Sequence, residues 1–265
     1  MQIYPVPAFQ DNYLWVLTDT DSSQAAVVDP GDAVPVLAFL ARHSLQLQAI
    51  LVTHHHADHI GGISTLLSAF PEAVVYGPDT SRIPQVTHAV CEGSQIRILG
   101  RHFRVLEVPG HTLEHIAYVS EPDISEPDDT SSPALFCGDT LFAGGCGRMF
   151  EGTPPMMQAS LQKLANLPPD TAVYCAHEYT LGNLRFANAV MPDNQALQQR
   201  QVRDTATRAN NLPTVPSTIA TELATNPFLR CNDLKVVEMA GQVEPLPSPD
   251  PASVFGILRR WKDRF

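Results

Sequence analysis

Four of the chain's ten histidines occupy the six positions 54–59, in the run Thr53-His54-His55-His56-Ala57-Asp58-His59. Neutral imidazole and carboxylate are good ligands for a borderline divalent cation such as zinc, and they also accept iron or manganese. In an extended segment His54 and His56 project to the same side, because side chains alternate along a strand. Asp58 and His59 stand where the chain turns into a helix. One cation does not comfortably take four groups from so short a segment, whereas two do. His55 points away from its neighbours and is assigned no ligand role. A low-complexity tract is the alternative for a histidine run. This one is internal, follows an apolar segment and is interrupted by Ala-Asp.

These donors need elements to aim them. Residues 47–52 form a short apolar run with Ile and Val, the pattern of a buried strand. Residues 63–70 place Ile63, Leu66, Leu67 and Phe70 at helical spacing. The histidines therefore lie on a loop that leaves the carboxyl end of a strand, where α/β sheets build their sites. His111, Asp139 and His177 share that context, each following a predicted strand (105–108, 134–137 and 171–176). Further strands are expected at 2–6, 13–17, 25–28 and 73–76. A helix is expected at 34–43, with Asp32 as its cap and His43 as a dipole partner near its end. Thr153-Pro154-Pro155 opens another helix, with Met157, Leu161, Leu164 and Leu167 inward and proline tolerated in the first turn. Strands and helices alternate up to His177, as in layered α/β folds. Beyond it the pattern becomes helical (183–190, 193–210, 217–223 and 252–262), which sets a domain boundary near 178. The acidic, proline-bearing stretch 121–133 reads as a solvated loop without functional weight. His88 and His102 are read as structural or surface residues, and so is His115 unless it lies behind a ligand.

At 265 residues the chain can bury a large core, and its hydrophobic fraction of 44% is ordinary for a globular protein. No run approaches the ~20 apolar residues of a membrane span, and no secretory signal is expected at the amino end. The five cysteines are odd in number and scattered, which argues for a reducing compartment, here the cytoplasm, over a disulfide framework. A formal charge of −11 disfavours nucleic acid as a partner. An anionic substrate would then need a local basic patch.

HxHxDH on a strand-to-helix loop resembles the metallo-β-lactamase superfamily, and the later segments resemble its hydroxyacylglutathione hydrolases, also called glyoxalase II. The resemblance covers nearly the whole chain. It implies an α/β fold, an αββα sandwich over residues 1–177, with a smaller helical, glutathione-binding domain over 178–265. It implies two divalent metal ions, zinc by default with iron or manganese as alternatives. His54, His56 and His111 would hold the first, Asp58, His59 and His177 the second, and Asp139 would bridge them. A hydroxide between the metals would attack the thioester carbonyl, with Asp58 and Asp139 orienting the centre. The implied reaction converts S-(2-hydroxyacyl)glutathione, such as S-lactoylglutathione, into glutathione and a 2-hydroxy carboxylate, as in methylglyoxal detoxification. Leu141-Phe142-Ala143-Gly144-Gly145-Cys146-Gly147-Arg148 resembles the family segment after the bridging aspartate, with Arg148 as a basic residue for glutathione. Tyr179, Arg259 and Lys262 match further glutathione contacts, and Asn226-Pro227-Phe228-Leu229-Arg230 resembles a segment of the family's helical domain. Phe150 departs from the family, which often carries a tyrosine there. A few converging cations would let an acidic protein hold anionic glutathione. The expected state is a monomer acting on a small molecule, with no nucleic-acid or membrane partner. The alternatives are another hydrolase of this fold, a lactonase or other thioesterase, or a non-catalytic metal-binding protein. Aspartate rather than cysteine at 139 argues against a typical two-zinc β-lactamase.

Overall fold

In the computed structural model, which describes residues 1–19, 22–121 and 132–265, two parallel strands end level with one another. Gln24–Val28 pairs with Gln46–Leu51, so that Val28 faces Leu51, and Leu51 in turn faces Tyr76 of Val74–Pro78. The loops that begin at Asp29 and at Val52 therefore leave the same edge of the sheet side by side. Most of the acidic stretch 121–133 lies outside the described residues.

By its internal packing the chain divides into two units, Met1–Glu107 with Glu114–Gly138, and Val108–Leu113 with Asp139–Phe265. The first holds a six-stranded sheet in chain order: Gln2–Ala8, Asn12–Thr18, Gln24–Val28, Gln46–Leu51, Val74–Pro78 and His88–Val90. Its first three strands run antiparallel and its last four are joined in parallel. Val16, Val27, Ile50 and Val75 meet Val36 and Leu40 of helix Ala33–His43 and Ile63 and Leu66 of helix Ile63–Ala69 in one apolar cluster. Each such side chain, fully buried, contributes about 1.5–3 kcal/mol. Asp32 caps the first of these helices by accepting from the Val34 amide at 2.9 Å. His43 falls in its last turn, as expected, and also lies against the Phe39 ring, centroids 4.4 Å apart. A second antiparallel set in this unit runs Gln95–Ile98, Arg101–Glu107, Ile116–Ser120 and Ala134–Gly138. The sequence reading did not anticipate the strands at 88–90, 95–98 and 116–120.

The second unit carries a short hairpin, Leu141–Phe142 against Gly145–Cys146, and the strand Ala172–Cys175. Its helices are Pro154–Ala165, Thr180–Val190, Gln195–Ala209, Ile219–Thr225, Leu234–Val243 and Pro251–Arg264. Proline sits in the first turn of Pro154–Ala165 with Thr153 as cap, and Met157, Leu161 and Leu164 are buried. The helix expected at 217–223 starts later, because Ser217–Thr218 pairs with Ala172–Cys175 and the Thr218 hydroxyl caps the Thr221 amide. Phe186 is buried against Phe228, Trp261 and Phe265. Cys137, Cys146, Cys175 and Cys231 are buried and Cys91 is exposed.

Candidate metal centre

In the first unit the histidine loop is held by Asp29, which the sequence reading did not single out. The Thr53 amide and hydroxyl both donate to its carboxylate, each at 2.7 Å. With its proton given to Asp29, the Thr53 oxygen accepts from His54 Nδ1 at 3.0 Å. This relay fixes the His54 tautomer and leaves the lone pair on Nε2. Nε2 lies 3.1 Å from His56 Nδ1, so the two rings do converge on one side of the extended segment. Asp29 also stands 3.1 Å from His59 Nδ1. Asp58 lies 3.5 Å from His59 Nε2 and accepts from Asn12 Nδ2 at 3.0 Å. His55 points elsewhere, as expected, pairing with Glu114 and lying 3.2 Å from Arg82 Nη1. His115 is fully buried and stacks on His54 with centroids 4.6 Å apart, which makes it a wall behind the loop. Gly31 is required beside this loop: a Cβ there would lie 1.8 Å from the Asp58 carbonyl oxygen.

In the second unit Asp139 lies between two imidazoles and turns one oxygen to each. Oδ2 is 3.5 Å from His111 Nε2, and Oδ1 is 3.3 Å from His177 Nε2. His111 Nδ1 donates to the Arg148 carbonyl at 2.8 Å, which again directs the Nε2 lone pair inward. The Phe150 amide donates to the His111 carbonyl at 3.1 Å and the Gly152 amide to the Gly110 carbonyl at 3.1 Å, so segment 148–152 braces the His111 turn. Gly147 has no room for a side chain, since a Cβ would lie 1.9 Å from the Asp139 carbonyl oxygen.

His54, His56, Asp58, His59, His111, Asp139 and His177 each belong to a group of three histidine or carboxylate donors able to hold a metal ion. Among the described residues no other histidine does. The set fits a divalent cation chemically. It is made of imidazole nitrogens and carboxylate oxygens, and His54, His59, His111, Asp139 and His177 are buried.

The residues proposed from sequence for glutathione lie in the second unit. Tyr179 stacks on His177, centroids 4.7 Å apart and planes 4° apart, and is 40% exposed. Phe150 is exposed and meets His111 edge-on at 5.2 Å. The Arg148 side chain is exposed. Arg259 is different, being only 3% exposed. Its guanidinium donates to the Cys146 carbonyl and to Asp263, each at 3.0 Å, and lies over the Phe228 ring. The Lys262 ammonium lies over Phe186, and burial first, then neighbouring Arg259, pulls its pKa down to about 8.

The hairpin that presents Cys146 is pinned from the helices. Asn226 donates to the Gly145 carbonyl at 2.9 Å and Asn183 to the Ala143 carbonyl at 3.0 Å. Glu222, fully buried, accepts from the Gly144 amide at 2.8 Å and from Arg200 at 2.7 Å. This explains why the segments at 141–148 and 226–230 go together, a link that sequence alone does not display.

Residues 8–177 match the metallo-beta-lactamase superfamily. Residues 178–265 match the hydroxyacylglutathione hydrolase C-terminus. The fold is also that of an ETHE1 structure from Myxococcus xanthus, with TM-score 0.63 and 24% identity, covering 99% of this chain and 98% of that one. Among curated relatives, a hydroxyacylglutathione hydrolase of Pseudomonas entomophila is 52% identical over the full length of both chains. One of Vibrio campbellii is 48% identical, again over all of both. The chain belongs to the hydroxyacylglutathione hydrolase family, metal-dependent hydrolases within that superfamily.

Proposed function

We propose that the chain hydrolyses S-(2-hydroxyacyl)glutathione thioesters, S-lactoylglutathione among them, to glutathione and a 2-hydroxy carboxylate. The observation that carries this reading is a complete set of seven metal donors in a chain whose residues 178–265 match the hydroxyacylglutathione hydrolase C-terminus. We assign His54, His56 and His111 to one divalent cation and Asp58, His59 and His177 to a second, with Asp139 shared. The two oxygens that Asp139 turns toward His111 and His177 support the shared role. Zinc is the default occupant, and the same donors accept iron or manganese. When bound, such cations acidify water from a pKa of 15.7 to about 7 and stabilise negative charge on a carbonyl oxygen.

The chain's own residues prepare that site. Asp29 and Thr53 orient His54, and the Arg148 carbonyl orients His111. Asp58 is steadied by Asn12, and the Tyr179 ring, stacked on His177, orients that imidazole. Arg148, Tyr179, Arg259 and Lys262 are assigned to glutathione. Arg259 also braces the hairpin through the Cys146 carbonyl. Residues 1–177 would do the chemistry and 178–265 would choose the substrate. A monomer in the cytoplasm is the proposed setting, with no nucleic-acid or membrane partner. No helix among the described residues is long and apolar enough to cross a membrane.

The test is a panel of glutathione thioesters, a lactone and a β-lactam offered to the purified, metal-loaded protein, with elemental analysis alongside. Hydrolysis confined to the glutathione thioesters and about two metals per chain are expected, and Asp139→Asn should lower the metal content of both sites. A parent fully active with one metal would refute the shared-ligand assignment.

A further inference from the structure

The last turn of helix Pro251–Arg264 contains a carboxylate that the helix does not need. Asp263 lies near the carboxyl end, where the macrodipole is negative and a carboxylate is unfavourable. Its partner Arg259 is four residues toward the amino end, the less favourable order for an i, i+4 ion pair. Yet Asp263 Oδ1 accepts from Arg259 Nη2 at 3.0 Å and stands 3.7 Å from Arg148 Nε. Its neighbour in the chain is Lys262, whose pKa is affected by both Arg259 and Asp263. One carboxylate thus lies among three of the cations assigned to the ligand, and its side chain remains 43% exposed.

Building on the glutathione reading, we propose that Asp263 is an internal stand-in for a substrate carboxylate, occupying Arg259 and Arg148 until an anionic thioester displaces it. Asp263 then sets specificity by opposing weak anionic ligands, and it keeps Arg259 directed and partnered in the empty protein. The side chain is short and half-exposed, so it can swing to solvent without moving the helix.

Replacing it should improve binding. Asp263→Asn keeps the size and removes the charge that an incoming carboxylate must overcome. KM for S-lactoylglutathione and the dissociation constant of glutathione, read by calorimetry, should both fall by roughly threefold to tenfold, as expected for a partly exposed charge. Asp263→Glu, which keeps the charge, should stay near the parent. KM for an uncharged thioester, measured on the same preparations, is the reference against which the change is read, and circular dichroism checks the fold. A parent that turns over no glutathione thioester refutes the functional reading itself. A parent that does, with an Asp263→Asn variant whose glutathione affinity is unchanged or weaker, refutes the stand-in role alone.

Discussion

Glu222 accepts four hydrogen bonds with no exposure, and removing its charge should have a large effect far from the metal donors. Oε2 takes the Gly144 amide at 2.8 Å and Asn226 Nδ2 at 3.0 Å, while Oε1 takes Arg200 Nη2 at 2.7 Å and the Ser217 hydroxyl. In Glu222→Gln one of these two pairs of donors must face an NH2 group. The Ser217 hydroxyl can turn to accept, so the amide should point that way, which leaves Arg200 without its closest anion. Arg200 is 3% exposed, and Asp204 at 3.2 Å remains its only carboxylate contact in this network. Breaking a buried ion pair costs about 3–5 kcal/mol, and the surviving partner argues for the lower end, about 3 kcal/mol. At 2–4 °C per kcal/mol for a chain of this size, Tm should drop by about 6–12 °C. Because the pinned hairpin presents the Cys146 carbonyl to Arg259, KM for a glutathione thioester should also rise while that for a small uncharged thioester holds. Replacing both charges, Arg200→Leu with Glu222→Leu, should cost less than the sum of the single changes, since no unpaired charge remains between them and Asp204 keeps Arg203 at 2.7 Å. Differential scanning calorimetry gives the first quantity and paired kinetics the second. A Glu222→Gln protein within about 2 °C of the parent, or a strictly additive double variant, would refute the strut.

Phe150→Tyr restores a hydroxyl beside His111, and a neutral hydrogen bond of ~1 kcal/mol net predicts a several-fold lower KM for a glutathione thioester with kcat little changed. An increase in KM would show that the pocket is already complete without it. Lys262 gives a pH dependence. Its pKa of about 8 means that its charge is lost as pH rises through 8, where an ordinary lysine would keep it past 10. Glutathione affinity in the parent should therefore fall by up to about tenfold between pH 7 and 9, and Lys262→Arg should flatten the profile. A parent profile already flat, read by competition binding, would refute the assignment. The sign for stability is opposite: from about 8 to 10.5 the unfolded chain holds the proton that the fold has released, so this group's contribution grows more favourable with rising pH.

The histidine loop was legible because its chemistry and its scaffold are both local. A β-branched strand, four donors and a helical apolar face follow one another within 47–70. The Asp32 cap and the Thr153-Pro154-Pro155 opening were legible for the same reason. Asp29 was not, although Asp29-Pro30-Gly31 ends a predicted strand, because its partners Thr53 and His59 lie on the segment that leaves the neighbouring parallel strand. Glu222 and Asn226 were invisible as struts since their bonds cross about 80 residues of sequence. The helix Leu234–Val243 was overlooked although Val236, Val237, Ala240 and Val243 recur at helical spacing. Leu234 is exposed, only Val236 and Ala240 are buried, and Gly241 lowers its intrinsic propensity. Burial of Arg259 likewise depends on Phe228 and the hairpin, which no helical spacing reveals.

The cysteines have a consequence for a protein whose proposed product is itself a thiol. Disulfide exchange proceeds through thiolates and demands access to sulfur. Burial raises the Cys146 and Cys231 thiols and pushes Cys175 up to about 12. At neutral pH such buried thiols stay protonated. Oxidised glutathione, which would accompany the product in any cell under oxidative load, thus meets interior sulfurs that are neither ionised nor reachable. Mixed-disulfide formation is left to Cys91, on the surface of the first unit. An enzyme of this design can release thiol for its lifetime without capping its own interior, and its activity would persist while more exposed cysteine enzymes were being silenced.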